Sequence, residues 1–364
     1  MGLSTLAGAA EKRVWIDQAF FNLYFNLYIV MIGPAGVVSK STCMKNGTKL
    51  LKEAGLNVME GAVIKEKIIE DMIAMEKLQE LPNGTKYRHS SITYISNELN
   101  VMLSAGVDMI KFLVDIYDIE ESYIYRTKNS GEYEISYPYF NMVAAAIPQW
   151  FGEYVGSDLG STGFLARCIV VYEQEKRGKH PRPIYTAGQE SARKECLKTI
   201  YKISELYQPL DLSEEADQYY CNWYMKQDTT NFADYRINAY LERKIKIHVL
   251  KIAALMCLGD DRILMEKIDF QRAIHILDSI EHKMQLAYIM SGNKISQYLF
   301  QIMNIIDSHD GAIKAMDLMS IVKHDITRIE FKEVMQTLEE MGNIQRILKG
   351  KDIWIKKMKE LYSS

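Results

Sequence analysis

Apolar and polar residues alternate along the first half of the chain in blocks that predict strands between helices. Short runs rich in aliphatic or β-branched residues predict buried strands, whereas longer stretches with a 3.6-residue period predict helices. The predicted strands occupy residues 26–32, 91–96, 139–147 and 168–172, and the predicted helices occupy residues 5–25, 41–80 and 99–118. A hairpin that turns at Asn129-Ser130-Gly131 is predicted before the third strand. This alternation indicates an α/β domain with a largely parallel sheet.

The pattern changes after the proline-containing segment HPRPIYT at residues 180–186. From about residue 188 to 288 the period is helical throughout and predicts no strand. Three further helices, at about 294–307, 312–322 and 328–341, precede a terminal hairpin that turns at Lys349-Gly350-Lys351, an order typical of a winged helix. The predicted organisation is an N-terminal helix at 1–20, an α/β core at 21–187, a helical region at 188–288 and a winged-helix domain at 289–364.

The composition is that of a folded cytoplasmic protein. Of the 364 residues, 48% are hydrophobic and 25% are charged, which is enough apolar material for a sizeable core. The net charge of −3 gives no overall basic character, so DNA binding would need a local basic patch or assembly. The five cysteines are scattered singly, which favours a reducing compartment over a disulfide framework. No apolar stretch reaches the roughly 18 residues of a membrane span, and the first residues lack a signal-peptide pattern.

The segment YIVMIGPAGVVSKST at residues 28–42 joins a predicted strand, a loop of small residues and a helix start. Such a loop binds phosphate through converging backbone N–H groups, while a lysine contacts the phosphates and the next hydroxyl ligates Mg²⁺. Lys40 follows Gly33 by seven positions where six are usual, and Ser39 stands where a second glycine is usual. We predict a nucleotide site here; the alternative is an ordinary strand-to-helix turn. The predicted contacts come from Gly33, Pro34, Ala35, Gly36, Ser39, Lys40, Ser41 and Thr42.

The segment ITYISNE at residues 92–98 places polar side chains at the end of the second predicted strand. P-loop ATPases use a carboxylate there to orient the attacking water, and a second group to hold the Mg²⁺ shell. Glu98 fits the first role, and Asn97 stands at the Mg²⁺ position, where its carbonyl oxygen carries no charge. The alternative is a surface Glu98 that caps the first turn of the next helix.

Two basic residues outside these segments have both a structural and a functional interpretation. Arg167, at the end of GSTGFLAR, either forms a surface ion pair or reaches the γ-phosphate bound by a neighbouring subunit. Lys244 shares a predicted helix face with His248 and Lys251. That face is either a solvated stripe or part of a surface that contacts the nucleotide.

The predicted hairpin has a basic tip, with Arg126 and Lys128 beside its turn. Loop residues carry function when a rigid scaffold aims them. If the protein forms a ring around DNA, these two side chains are candidates for contact with DNA phosphates. The alternative is that they only keep the surface soluble.

Taken in order, GPAGVVSKST, ITYISNE, the hairpin, VAAAIP and GFLARCIVV resemble the P-loop ATPase domain of replication proteins from phages, prophages and mobile elements. Those proteins are often called primase-associated or DUF-type helicases. The second half is similar to AAA+ replicative helicases of the minichromosome-maintenance type. There LSEEADQYYCNWY resembles the lid-opening helix, and RKIKIHVLKIAAL followed by KIDFQRAIHIL resembles the sensor-2 helix and its successor. The resemblance covers roughly residues 20–350.

The resemblance implies an AAA+-like α/β P-loop NTPase core, an all-α lid at residues 188–288 and a C-terminal winged helix. It implies that Lys40 and Ser41 bind phosphate and Mg²⁺, and that Glu98 is the catalytic glutamate. It makes Arg167 a trans-acting arginine finger and gives Lys244 the sensor-2 place.

The resemblance also places Lys128 at the hairpin tip in a DNA channel. One departure concerns the third core strand, which ends in Ala-Ala-Asn-Pro in helicases of that type. Here Ile147 stands in place of the sensor asparagine, so either Gln149 substitutes for it or the sensor is missing.

We therefore expect an ATP-hydrolysing, ring-forming DNA helicase or translocase that serves phage or mobile-element replication in a bacterial host cytoplasm. The expected ligands are ATP and Mg²⁺. The expected partners are single-stranded or forked DNA, further copies in a homo-oligomeric ring such as a hexamer, and a primase or polymerase.

Two other hypotheses stay open at the level of sequence. One is an origin-recognition or helicase-loader module that binds nucleotide with weak or no ATPase activity. The acidic residues Glu330, Glu333, Glu339 and Glu340 on the predicted recognition helix disfavour its docking in a DNA major groove. The other is a defence or signalling ATPase on the same scaffold.

Overall fold

A computed structural model describes two units of the chain, and the boundary between them, after Gln285, falls inside the last helix of the first unit, Lys267–Ile289. The described residues are 1–61, 64–81, 84–104, 106–127, 131–148, 150–151, 163–176, 178, 182, 184–228, 235–289, 294–340, 342–350 and 352–358. Within these ranges no helix combines the length and the apolar character needed to cross a membrane.

The first unit mixes helices and strands throughout. Its strands are β1 (Val14–Asp17), β2 (Asn22–Tyr24), β3 (Tyr28–Ile32), β4 (Val58–Glu60), β5 (Lys77–Glu80), β6 (Lys86–Ser96), β7 (Tyr123–Thr127), β8 (Gly131–Ile135), β9 (Pro138–Ala146), β10 (Cys168–Tyr172), β11 (Gln208–Pro209), β12 (Asp211–Leu212) and β13 (Leu264–Met265). Its helices are α1 (Gly2–Ala10), α2 (Lys40–Glu53), α3 (Lys65–Ala74), α4 (Leu99–Leu103), α5 (Val107–Asp118), α6 (Phe164–Arg167), α7 (Ala187–Ser204), α8 (Glu214–Tyr224), α9 (Tyr235–Arg243), α10 (Val249–Gly259) and α11 (Lys267–Ile289). A 3₁₀ turn covers Glu11–Arg13, and a π-helical segment covers Lys244–His248.

A central sheet runs in the order β10-β3-β9-β6-β4, and every pairing along this path is parallel. β5 adds an antiparallel pairing to the start of β6. The nine residues of β9 are all buried, as expected for a strand covered on both faces. The α/β fold and the largely parallel sheet predicted from the sequence are therefore confirmed. Numbered by chain order, the five parallel strands lie as 5-1-4-3-2, and the crossover directions reverse beside β3, where such sheets bind ligands.

α1 belongs to the core of this unit. Asn141 of β9 is fully buried, and its Nδ2 donates to Ser4 O at 2.9 Å and to Thr93 Oγ1 at 3.2 Å, while its Oδ1 accepts from the Leu27 N–H at 3.1 Å. A Cβ on Gly8 would lie only 2.6 Å from Thr93 Oγ1, so the helix approaches the sheet more closely than a side chain allows. One buried amide thus ties helix, strand and neighbouring loop together.

Three expectations about local structure were wrong. The helix predicted over residues 5–25 ends at Ala10, and the chain continues as the antiparallel strands β1 and β2. The long helical stretch predicted at 41–80 contains the short parallel strand β4 between α2 and α3. The region predicted to lack strands includes β11, which pairs with β1, and the parallel pair β12 and β13.

The second unit has a helix, a strand, two helices and a hairpin in chain order. These are α12 (Lys294–Ser308), β14 (Ala312–Lys314), α13 (Ala315–Val322), α14 (Arg328–Glu340), β15 (Ile344–Lys349) and β16 (Asp352–Lys357). The strands form an antiparallel sheet in the order β14-β16-β15. α14 begins with reciprocal bonds, because the Thr327 N–H donates to Glu330 Oε2 at 2.8 Å and the Glu330 N–H donates to Thr327 Oγ1 at 3.3 Å. The helix predicted to begin at residue 312 begins at Ala315, after β14.

Candidate functional site

A loop of small residues connects the carboxyl end of β3 to the start of α2. Gly33 is the tight point of this loop, because a Cβ there would lie 2.5 Å from Glu173 O and 2.6 Å from Val38 Cγ2. Gly36 has φ of 73°, in the left-handed region that glycine adopts without strain. Ser39, where a second glycine is usual, also adopts a left-handed conformation, with φ of 52°. Ser39 therefore adopts the left-handed backbone conformation that the usual glycine would have at this position.

The amino terminus of α2 faces the cavity that this loop borders. Ser39, Lys40, Ser41 and Thr42 all line it, and no side chain caps the helix at Ser39. The first N–H groups of α2 are thus left for a ligand, and the helix dipole favours an anion there. Lys40 Nζ bonds to Gly33 O and lies 3.4 Å from Pro34 O, and partial burial lowers the pKa of its ammonium. The lysine is held against the loop whose ligand it would contact.

Glu98 lies across the cavity from the loop. It follows the end of β6 by two residues, at the carboxyl edge of the sheet where β3 also ends. Ser96 fixes its backbone, since Ser96 Oγ donates to Glu98 O at 3.1 Å. Glu98 occupies the N-cap position of α4, but its side chain makes no capping bond and is exposed. Glu98 therefore does not cap α4, which the alternative interpretation of the sequence required. It lines the cavity together with Asn97.

The third wall comes from the end of β9 and is apolar. It consists of Ala145, Ala146, Ile147 and Trp150, and Ile147 is largely exposed. Gln149, which the sequence offered as a substitute for the sensor asparagine, lies outside the described residues.

Two residues of this cavity were not predicted from the sequence. Asn100, in the first turn of α4, presents an amide on the same side as Glu98, and Trp150 adds the largest ring of the lining. Asn100 could have been predicted, because it follows Glu98 by two residues at the start of a helix. Trp150 follows a proline after the third strand and carries no comparable signal.

The cavity has a volume of about 530 Å³ and joins one cation, one carboxylate and several amide and hydroxyl groups. That volume falls in the range of about 300–1,000 Å³ typical of small-molecule sites. Within the described residues no cluster of three His, Cys, Asp or Glu side chains could hold a metal ion. Mg²⁺ needs no such cluster, because it usually takes one or two protein oxygens and completes its shell with phosphates and water. Ser41 and Asn97 both line the cavity, and each side chain carries an oxygen that can ligate such an ion.

Arg167 lies away from this cavity, directly before β10 at the amino edge of the sheet. Its Nη2 and Nε donate to Asp118 Oδ2 at 2.7 and 3.0 Å, and its Nη1 donates to Gly163 O at 2.9 Å. Arg243 bonds to the other oxygen of the same carboxylate. Arg167 is thus an ion-paired residue that does not approach the loop between β3 and α2.

Lys244 does not line the cavity either. It is buried, with its Nζ 2.7 Å from Asp278 Oδ1 and 2.5 Å from Glu281 Oε1. His248 and Lys251, which share its face, are buried as well. The solvated stripe considered from the sequence was wrong, because neighbouring elements cover this face.

The hairpin of β7 and β8 carries the predicted DNA contacts. Arg126 is exposed, and its Nε donates to Glu132 Oε2 on the opposite strand at 2.6 Å. Lys128 lies outside the described residues. The base of the hairpin is anchored by Tyr125, which donates to Glu66 Oε1 at 3.1 Å.

No protein-family model matches this sequence, and a search of curated proteins gave no significant match. What the cavity can bind is therefore inferred from the side chains that line it.

Proposed function

We propose that this protein is an ATP-hydrolysing motor of the P-loop type with an AAA+-like core. The observation that carries the proposal is the cavity at the carboxyl edge of the parallel sheet. It joins a tight loop, an uncapped helix terminus and Lys40 on one side with Glu98 on the other. Phosphate binding explains the first three features, and water activation explains the fourth.

In this mechanism the loop and the first turn of α2 bind the phosphates through backbone N–H groups. Lys40 exchanges its bonds to the loop carbonyls for bonds to the phosphate oxygens, whose negative charge favours the ammonium form. Ser41 and Asn97 are the residues that would hold Mg²⁺. When bound, that ion neutralises phosphate charge. Glu98 accepts a hydrogen bond from a water molecule and orients it toward the terminal phosphorus.

We further propose that the motor is a ring, such as a hexamer, that moves DNA in phage or mobile-element replication within a bacterial cytoplasm. Arg167 points away from its own cavity, which suits a residue that serves a neighbouring subunit. Release from Asp118 would free it for that role. The exposed hairpin with Arg126 would meet single-stranded or forked DNA, and a primase or polymerase is the expected partner.

We assign the second unit as a winged helix, since its helix, strand, two helices and hairpin follow that order. Its recognition helix would be α14. Glu330 is committed to the cap of that helix, and Glu339 pairs with Arg346 at 2.7 Å. The remaining acidic surface favours contact with protein over a DNA major groove.

A nucleotide-binding loader with little or no turnover is the second candidate. Asn97 gives the Mg²⁺ position no charge, and the end of β9 offers only apolar side chains at Ala145, Ala146 and Ile147. Both features weaken the stabilisation of a charged transition state and leave nucleotide binding intact.

ATPase activity with and without single-stranded DNA separates the two candidates. The wild type should turn over ATP faster when DNA is present. Lys40→Ala should abolish binding and turnover, whereas Glu98→Gln should keep binding and lose turnover by at least about a hundredfold. The matched controls are Lys49→Ala and Glu121→Gln, exposed residues outside the cavity, which should keep wild-type rates.

Nucleotide binding without turnover in the wild type would refute the motor in favour of the loader. Mixtures of Arg167→Ala and wild-type subunits test the ring. A trans-acting arginine predicts that activity falls more steeply than the wild-type fraction, and a proportional fall would remove that assignment.

A further inference from the structure

A second cavity, of about 260 Å³, lies at the opposite edge of the central sheet from the phosphate loop. Pro138 begins β9 and Asn26 precedes β3 by two residues, so both line this cavity from the amino ends of parallel strands. The end of α5 and one side of α10 complete it. No residue is shared between the linings of the two cavities.

Two lysines in this lining are buried without a carboxylate. Lys12 and Lys251 are each 2% exposed. Lys12 Nζ donates to Ile119 O at 2.5 Å and to Pro138 O at 3.2 Å. Lys251 Nζ donates to Asn26 O at 2.9 Å and Asn26 Oδ1 at 2.8 Å. In the described part of the chain neither ammonium has a carboxylate within 4.0 Å, although buried lysines are almost always paired.

The rings beneath these ammonium groups do not replace a counter-ion. Lys12 Nζ lies 4.4 Å from the centre of the Tyr24 ring, and Lys251 Nζ lies 4.1 Å from that of Tyr117. A cation–π contact attracts the ammonium but supplies no negative charge. Burial accordingly lowers the pKa of Lys12 to about 7 and that of Lys251 well below its usual range, and Arg243 lowers the latter further by repulsion.

Two hydrogen-bond donors of residues in this lining are also unsatisfied. The Tyr117 hydroxyl and Arg243 Nε are buried and have no hydrogen-bond partner among the described residues. Both residues line the cavity, and the Arg243 guanidinium lies 5.2 Å from the Tyr117 ring centre. A buried donor without an acceptor is unfavourable, and the oxygens of an anionic ligand could satisfy both donors.

The carboxylates of the lining do not balance these cations. Asp118 is already shared by Arg167 and Arg243, and Glu120 accepts from the Asn22 N–H at 3.3 Å. Glu120 raises the pKa of Lys12 only enough to offset part of the effect of burial. The lining therefore holds three basic side chains against two carboxylates, and a bound anion would favour the protonated form of both lysines.

We propose that this second cavity binds a small ligand carrying a phosphate group, either inorganic phosphate or a small phosphomonoester. The cations suit a dianion, and Arg243 and Tyr117 supply directional donors for its oxygens. The volume is below the roughly 300 Å³ at which sites for larger organic ligands begin. The burial of both lysines excludes the backbone of a nucleic acid. This ligand site is independent of the proposed ATPase function.

The test measures phosphate binding by calorimetry and thermal shift in a Lys40→Ala background, which removes the lysine of the first cavity. Inorganic phosphate and glycerol 3-phosphate are compared at constant ionic strength set with chloride. We expect both to bind and to raise the melting temperature of Lys40→Ala protein. Tighter binding of one of them tells whether the natural ligand is free or esterified.

Adding Lys251→Met should weaken phosphate binding at least about tenfold. The change is expected to leave the fold intact, because an apolar residue of similar length replaces a buried charge. Adding Lys246→Met instead, an exposed lysine paired with Glu242, should change nothing. If Lys251→Met unfolds, Arg243→Lys gives the same readout, since it keeps the charge but loses the Nε–H donor. Phosphate binding that is absent in Lys40→Ala, or equal in the Lys251 and Lys246 variants, would overturn the proposal.

Discussion

Gly33→Ala is the sharpest test of the proposed phosphate loop between β3 and α2, because the structure leaves no room for a single methyl group at Gly33. The added Cβ would lie 2.5 Å from Glu173 O and 2.6 Å from Val38 Cγ2, where ordinary contacts begin near 3.4 Å. The neighbouring backbone cannot yield easily. The Gly33 N–H donates to Ala146 O at 3.3 Å, and the Glu173 N–H donates to Ile32 O at 3.0 Å, so three parallel strands fix the position.

The expected cost follows from overpacking. Forcing one methyl into a closed space destabilises a protein by about 1–3 kcal/mol. In a unit of this size each kcal/mol lowers the melting temperature by about 2 °C, so we expect a fall of about 2–6 °C. The loop must shift to relieve the clash, and nucleotide affinity should fall at least tenfold, which corresponds to about 1.4 kcal/mol.

Differential scanning calorimetry and nucleotide titration of three glycine variants measure this prediction. Gly36→Ala separates strain from clash, because Gly36 has φ of 73° and no atom within 4 Å of an added methyl; about 1 kcal/mol is expected. Gly188→Ala is the control, since its Cβ would lie 3.9 Å from Thr186 Oγ1 in the first turn of α7. It should be neutral or stabilise slightly. If Gly33→Ala melts and binds like Gly188→Ala, the close approach of the loop to Glu173 and Val38 is wrong.

Two further predictions concern the core and its pH dependence. Asn141→Leu should lower the free energy of unfolding by about 1–3 kcal/mol, because it leaves the buried Leu27 N–H without an acceptor; a loss below about 0.5 kcal/mol in urea unfolding would contradict this. His89 and His248 are buried, and burial lowers the pKa of each to about 3, so both are neutral in the folded protein near neutral pH. A histidine in the unfolded chain has a pKa near 6.5, so the unfolded state takes up protons below that pH while the folded state does not. The stability contributed by the two neutral histidines is therefore complete above about pH 6.5 and is lost as the pH falls toward 3. Each histidine lowers the free energy of unfolding by up to about 1.4 kcal/mol per pH unit in this range. Melts between about pH 4 and 6 should therefore show a shallower slope for His248→Gln, and an unchanged slope would mean that His248 is charged in the folded state.

The central sheet could be predicted because its strands are continuous apolar runs. A strand buried on both faces needs no alternation, and residues 26–32 and 139–147 show this directly. β4 has three residues and β1 has four, too few for a periodic signal to compete with the helical pattern around them. Residues 11–25 were predicted as a helix because the spacing of their aromatic and aliphatic residues fits a helix as well as the two short strands that form there.

The candidate site was predictable in its sequence-local parts only. The loop and Glu98 lie at strand ends, and parallel strands bring their ends to one edge whatever the rest of the chain does. Whether Lys244, His248 and Lys251 are buried or exposed depends on which elements pack against them, and these elements are distant in sequence. A period of 3.6 gives the shared face but not its neighbours. The ion-pair partner of Arg167 could not be predicted for a similar reason, since Asp118 precedes it by 49 positions.

The docking of α1 bears on how the chain reaches its fold during synthesis. Its residues pack against β9, α7 and α10, and the last of these ends at Gly259, about 250 residues later. At about 5–20 residues per second, a ribosome needs roughly 12–50 s to supply that distance. During this interval α1 can pack against β9 and α7 but lacks the part of its covering surface that α10 supplies, although Ala7, Ala9 and Ala10 end fully buried. The packing around α1 is therefore completed only when α10 has been synthesised, and chains stalled before α10 should leave α1 more open to proteases than the full chain does.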